Sequence, residues 1–277
     1  MINFNGSLVS ETSQLSVNNR AFLFGDGVFE TVKIVDNKIL FFEEHYFRLM
    51  AAMRIVRMEI PMSFTMEYLE EQIISLAKAN SIENSARARI TVYRNEGGYY
   101  LPVTNEVSFI VQVSPLPLKT YRIEKNDYEV DLYKDFFITK QLISTVKTTN
   151  KIINITGSIF AKENRLDNCL LLNDQKNVIE ALQANIFMIK DNILITPPVS
   201  EGCHMGIFRK KVFELVKKLN LIELIEAPIS PFDLQKAEEL FLTNVIFGIQ
   251  PITKYRKKEF ETKFSSSLLE KFNEHYI

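Results

Sequence analysis

Chemistry is most legible in the stretch between one lysine, Lys147, and one glutamate, Glu180. Lys147 lies in Ser144-Thr145-Val146-Lys147-Thr148-Thr149-Asn150, a run of small and β-branched residues that predicts a strand or strand end and not a solvated helix face. Few other charges surround it. Desolvation disfavours the ammonium form, and the uncharged amine is the nucleophile that carbonyl chemistry needs. Taken alone, the same lysine also fits a side chain that snorkels to the surface, as most lysines do. After it come a helix over 151–165, an apolar run Cys169-Leu170-Leu171-Leu172 and a turn over 173–177. The next strand, Val178-Ile179-Glu180-Ala181, sets a single carboxylate among apolar neighbours and leads to Asn185-Ile186-Phe187. Burying an acid there is costly without a positive or proton-sharing partner.

The elements that must position these groups follow from periodicity and turn signals. Residues 1–9 predict a hairpin at Asn5-Gly6, and 28–34 a strand that turns at Asp36-Asn37 into 39–42. Apolar spacing over 43–58 predicts a helix that sets His45 and Arg48 on neighbouring turns, with a second helix over 65–80. Strands over 85–94 and 106–113 are joined by the loop Asn95–Pro102, whose paired glycines and tyrosines suit either substrate contact or a plain hairpin. Arg94 and Tyr99 are the substrate-binding candidates there.

Two prolines in Ser114-Pro115-Leu116-Pro117-Leu118 deny helix and interior strand. They divide the chain into an N-terminal domain over 1–114, a linker over 115–121 and a C-terminal domain over 122–277 that carries Lys147. Beyond lie strands near 128–133, a hairpin over 180–196 turning at Asp191-Asn192, a helix over 207–219, a strand over 238–243 and a closing helix over 263–276. A helix start at Ile207 and Phe208 offers backbone N–H groups to an anion. The pair Cys203-His204 suggests a thiol protease only superficially, since adjacent residues seldom face each other and no partner motif is visible.

Composition narrows the functional class. A chain of 277 residues with 46% hydrophobic and 24% charged residues is ordinary for a globular protein, and its net charge of −1 gives no reason to expect nucleic acid or an acidic membrane as partner. No apolar stretch reaches the ~18 to 20 residues that span a bilayer. Two cysteines and no signal-like start point to a reducing, cytoplasmic setting. No metal-ligand spacing is present.

Five ordered blocks make the sequence resemble the class IV, or fold-type IV, pyridoxal-phosphate enzymes, the family of branched-chain and D-amino acid aminotransferases and aminodeoxychorismate lyase. The blocks are Phe24-Gly25-Asp26-Gly27-Val28-Phe29-Glu30, His45-Tyr46-Phe47-Arg48-Leu49, Lys147 with Asn150, Val178-Ile179-Glu180 leading to Asn185-Ile186-Phe187, and Gly206-Ile207-Phe208-Arg209. Together they span nearly the whole chain. The resemblance implies a mixed α+β, two-domain fold with an N-terminal α+β sandwich and a C-terminal β-barrel-like domain.

It also implies pyridoxal 5′-phosphate as cofactor, bound by Lys147 as a Schiff base, with Glu180 on the ring nitrogen. Arg48, the Ile207 and Phe208 amides, Thr243 and Asn244 would hold the phosphate, with His45 orienting Arg48. Phe208 stands where the family has threonine, so only its backbone contact survives. Phe29, Arg94 and Tyr99 would meet the substrate, and Thr31 would take part in catalysis. Thr31 and the Gly97-Gly98 loop resemble the lyase branch, although Tyr99 replaces the arginine that often follows those glycines. The reading is therefore aminodeoxychorismate lyase first and a branched-chain or D-amino acid aminotransferase second. A non-catalytic binding protein on the same fold is opposed by the retained Lys147 and Glu180. A homodimer is expected from the family.

Overall fold

The computed structural model describes residues 1–11 and 15–277, which form two compact units. The first comprises Met1–Lys119 with Val146–Asn150, and the second Thr120–Thr145 with Lys151–Ile277.

In the first unit, β1 (Ile2–Phe4) and β2 (Ser7–Val9) turn at Asn5-Gly6. Short α1 (Arg20–Phe24) ends on Gly25 at φ 66°, a left-handed position that glycine takes without strain. β3 (Gly27–Val35) and β4 (Lys38–Ile39) are joined by Asp36 and Asn37, both at positive φ. α2 (Phe42–Ile55) and α3 (Met66–Ala79) follow; the Thr65 hydroxyl accepts from the Tyr68 N–H and starts α3. β5 (Ser85–Arg94) and β6 (Val107–Pro115) complete an antiparallel sheet ordered β2-β1-β6-β5-β3-β4.

Period-two alternation gives this sheet two chemically different faces. Val28, Val32 and Ile34 of β3 and Ala86, Ala88, Ile90 and Val92 of β5 join Leu49, Met53, Leu69, Ile73 and Leu76 of the two helices in one core. The other face carries Phe29, Thr31 and Lys33 beside Arg87, Arg89 and Thr91. The expected second domain over 122–277 does not keep Val146–Asn150. The reason is local: Phe29 N–H donates to Lys147 O at 2.8 Å and Thr149 N–H to Gly27 O at 2.9 Å, so this segment extends β3 at its edge, and Val146 enters the first core.

The second unit contains β7 (Glu129–Ile138), α4 (Ile152–Glu163), β8 (Asn168–Asn173), β9 (Val178–Ala181), β10 (Asn185–Lys190) and β11 (Ile193–Thr196). There follow α5 (Ile207–Leu219), β12 (Glu223–Glu226), α6 (Pro231–Leu234), β13 (Glu239–Asn244), β14 (Gly248–Ile252), β15 (Lys254–Tyr255), β16 (Lys258–Glu259) and α7 (Lys263–Tyr276). The sheet runs β12-β11-β10-β9-β8-β7-β15-β16, and β13 pairs both β10 and β14. Parallel pairs β7–β8 and β11–β12 are spanned by α4 and α5, as crossover connections require. Two sheets and seven α-helices among the described residues give the mixed α+β class expected from sequence.

Phe208 explains its own departure from the family pattern. Its ring stacks on Phe272 of α7 with centroids 4.0 Å apart, and Tyr121 meets it edge-on at 5.3 Å. The first pair pins α5 to α7 and the second holds the segment at Tyr121 against α5, each adding roughly 1 kcal/mol beyond area burial.

Candidate active site

The first unit holds the lysine. Antiparallel pairing with β3 places Phe29 and Lys147 opposite each other, so their side chains share a face. Lys147 Nζ stands 5.2 Å from the centre of the Phe29 ring, and the Arg89 guanidinium lies 3.7 Å from the same centre. Arg89 Nε also donates to Thr91 Oγ1 at 3.2 Å. Burial, and then the neighbouring charge of Arg87, lower the Arg89 pKa from its usual value. Thr31, half-buried, pairs with Arg89 in register. Lys33 is buried one pleat further, opposite Arg87. The lysine face is therefore strongly cationic, which suits a substrate with carboxylates.

On the opposite face of β3, Glu30 is the one acid in an apolar row, and α2 supplies its partners. Arg48 Nε donates to Glu30 Oε1 at 2.6 Å and an Arg48 terminal nitrogen to Oε2 at 2.8 Å, a bidentate pair. His45 Nδ1 is 2.8 Å from Oε2. Burial works to raise the Glu30 pKa, but Arg48 and His45 outweigh it and hold the carboxyl well below the usual range. Burial lowers the His45 pKa in spite of Glu30, so the imidazole is neutral. Its Nε2 is buried and without a hydrogen-bond partner.

Arg94 and Tyr99 are placed by a second network. Asp26 Oδ2 accepts from Arg20 Nε at 2.8 Å and Arg94 Nε at 3.0 Å. Arg94 also donates to the carbonyls of Val56 and Arg57 and to Asn105, so its guanidinium is committed to the protein. Arg20 donates to Gly97 O at 2.9 Å and Tyr99 O at 2.7 Å, which ties the loop to α1. The Tyr99 side chain is exposed.

The second unit holds the buried acid. Glu180 ends β9, where Asn185 opens β10 opposite it. The His204 backbone N–H donates to Glu180 Oε2 at 2.9 Å, and His204 Nδ1 lies 2.8 Å from Oε1. Burial would raise the Glu180 pKa; His204 and Lys151 reverse the sign and lower it. Asn185 Nδ2 donates to His204 O at 2.8 Å and fixes the loop. Gly206 follows where a Cβ would collide with Asn185 Oδ1, so close packing, not a turn, demands glycine there. It starts α5 without a side-chain cap, leaving the amides of its first turn for an anion. Thr243, opposite Asn185 on β13, has a buried hydroxyl with no hydrogen-bond partner. Asn244 instead donates to Gln183 O at 2.5 Å.

These features fit pyridoxal phosphate. An uncapped 13-residue helix start and an orphaned threonine hydroxyl suit a phosphate, and an ionised, buried carboxylate suits a protonated ring nitrogen. Sequence reasoning missed Arg89 and His204. The alternation Arg87-x-Arg89, set against apolar Ala88 and Ile90, is the signal that marks a charged sheet face. For His204, a loop residue 24 positions from Glu180, no local signal exists. Among the described residues no group of three or more His, Cys, Asp or Glu side chains is placed to hold a metal ion.

The class IV aminotransferase family model matches residues 27–255, and the chain belongs to that family of pyridoxal-phosphate-dependent enzymes. A putative branched-chain-amino-acid aminotransferase of Methanocaldococcus jannaschii is 27% identical over 276 residues, covering 99% of this chain and 94% of that protein. A D-alanine aminotransferase of Listeria monocytogenes is 28% identical over 257 residues, covering 88% and 83%. The crystal structure of 4-amino-4-deoxychorismate lyase from Pseudomonas aeruginosa shares the fold with a TM-score of 0.85 at 20% identity, covering 99% of this chain and 98% of that one.

Proposed function

We propose that the protein is a 4-amino-4-deoxychorismate lyase, which eliminates pyruvate to leave 4-aminobenzoate. The observation that carries this reading is Thr31, a half-buried hydroxyl on the lysine face of β3, in register with Arg89. A hydroxyl there can pass a proton, and Arg89 offers a fork of donors to a carboxylate. The substrate has both needs, since its leaving group is a carboxylated enol.

When bound, pyridoxal phosphate supplies an aldehyde for the substrate amine and a ring that accepts the electron pair released beside it. Lys147 would hold the cofactor covalently and, once the substrate amine has displaced it, would be free to take the proton from the amine-bearing carbon. Thr31 would relay that proton from Lys147 to the departing enolpyruvyl group as the carbon–oxygen bond breaks, so that the hydroxyl and the amine both end as they began. Glu180, buried and held as an anion, would keep the ring nitrogen protonated. Arg48, the Ile207 and Phe208 amides and the Thr243 hydroxyl would hold the phosphate, whereas the Asn244 side chain is already engaged by Gln183 O and the Ile246 N–H. Phe29 and Tyr99 bound the substrate, and Arg94 acts through Asp26 and the Arg20-held loop.

A second reading, a branched-chain or D-amino acid aminotransferase, is favoured by the names of the relatives above. It uses the same lysine, glutamate and phosphate groups. Exposed Ile152, Ile155 and Ile159, at helical spacing on α4, support the homodimer expected of the family. Two free, buried cysteines support a cytoplasmic setting.

The test is direct. Purified protein mixed with pyridoxal phosphate is expected to absorb in the visible, and borohydride followed by peptide mapping to find the adduct on Lys147. Pyruvate and 4-aminobenzoate released from aminodeoxychorismate identify the lyase, and Thr31→Val is expected to lower that release selectively. Amino-group transfer between amino and keto acids without pyruvate elimination identifies the aminotransferase. A colourless protein with label spread over surface lysines sinks both and leaves a binding role.

A further inference from the structure

The side chain of His204 bridges Glu180 and Lys151, a lysine to which the family resemblance gives no role. Its Nε2 lies 3.2 Å from Lys151 Nζ and its Nδ1 2.8 Å from Glu180 Oε1. With Lys151 as an ammonium, which donates and cannot accept, Nε2 accepts from Lys151 and the ring proton sits on Nδ1, where it donates to Glu180. The tautomer is thus set by the two neighbours. Lys151 is itself unusual, because it occupies the N-cap of α4, where the positive end of the helix dipole disfavours a cation.

We propose that His204 is a positioning residue, holding Glu180 in one rotamer as an anion for the cofactor ring nitrogen, with Lys151 fixing the imidazole tautomer. This rests on the pyridoxal-phosphate reading of the site. Both carboxylate oxygens are engaged, Oε1 by Nδ1 and Oε2 by the backbone N–H at 2.9 Å, and each retains a lone pair for a further donor. The loop does not need the imidazole to keep its course, because Asn185 already holds the His204 carbonyl. Among the other ionisable groups nearby, Cys203 is a neutral thiol, pushed up to about 12 by burial and then by Glu180. Arg209 is paired with Glu226 at 2.5 Å. A carboxylate so held has little affinity for a proton of its own, and a ring nitrogen meeting it keeps its proton.

The experiment uses the full chain with pyridoxal phosphate labelled with ¹⁵N in the ring, reading cofactor affinity and the ring-nitrogen shift between about pH 5 and 9. His204→Leu removes the imidazole donor and keeps the backbone one. It is expected to bind cofactor about tenfold more weakly, the loss of one charge-assisted bond, and to lose the ring proton at lower pH than the parent. His204→Asn sets an amide N–H near the Nδ1 position and is expected to restore both readouts, whereas His204→Gln, one bond longer, is not. Parent-like behaviour of the leucine variant overturns the proposal, as does equal impairment of the asparagine and leucine variants. Should the leucine variant fail to fold, the comparison of Asn with Gln decides in the same way. Failure of the parent protein to bind pyridoxal phosphate overturns instead the reading of the site on which the proposal stands.

Discussion

Phe29 and Lys147 are joined twice: the Phe29 N–H donates to the Lys147 carbonyl at 2.8 Å, and Lys147 Nζ stands 5.2 Å from the centre of the Phe29 ring. Backbone and side chain are thereby both referenced to β3, whose other face is packed against α2 and α3. A residue 118 positions away in sequence is made part of the first sheet.

Lys147→Ala is expected to abolish the borohydride-trapped adduct and leave the fold intact. The reason is that the lysine is tied to β3 through its main chain, which alanine keeps. Thermal unfolding should shift by no more than a few degrees, while mass mapping finds no modified peptide. A collapse of stability would mean that the side chain is part of the packing.

Glu30→Gln is expected to destabilise the protein by about 3 kcal/mol, measured by urea unfolding, because it leaves Arg48 partly buried beside an uncharged amide. The same change removes one of the two carboxylate oxygens that orient Arg48. Phosphate-dependent cofactor affinity should fall with stability, whereas Arg48→Gln should lower affinity more than stability.

Acid destabilisation should come in two steps. His45 is held below its usual pKa of 6.5, so as pH falls through that value the unfolded chain takes a proton that the folded one refuses, and stability begins to drop. Glu30 and Glu180 are held below 4.5, so their contribution is complete above that value and is lost as pH falls below it. His45→Gln should remove the first step and leave the second, read as urea midpoint against pH.

Both cysteines should be inert in the folded state. Burial, with Asp131 near Cys169 and Glu180 near Cys203, pushes both thiols up to about 12. Thiol titration of native protein at neutral pH should detect no rapid reaction, and two thiols after denaturation. Rapid native labelling would show that the Cys203 loop opens.

The local elements were largely legible in the chain. Alternation marked β3 and β5, helical spacing marked α2 and α3, the Asn5-Gly6 and Asp36-Asn37 turns were read correctly, and Gly206 announced the start of α5. These signals survive because each depends on neighbours within a few residues.

What depends on distant neighbours was decided by tertiary structure. Arg94 and Arg89 lie on the same strand and look equally available in sequence. Folding spends Arg94 on Asp26, Asn105 and two carbonyls, and places Arg89 over Phe29, because strand alternation sends odd and even positions to opposite faces. The segment around Lys147 reads as a C-terminal strand, yet its hydrogen-bond partners lie on β3, and only the closed chain supplies them. Glu180 reads in the sequence as a buried acid that needs a partner. His204, 24 residues later, is a partner that the fold supplies, since hydrogen bonds are satisfied in space and leave no period in the sequence.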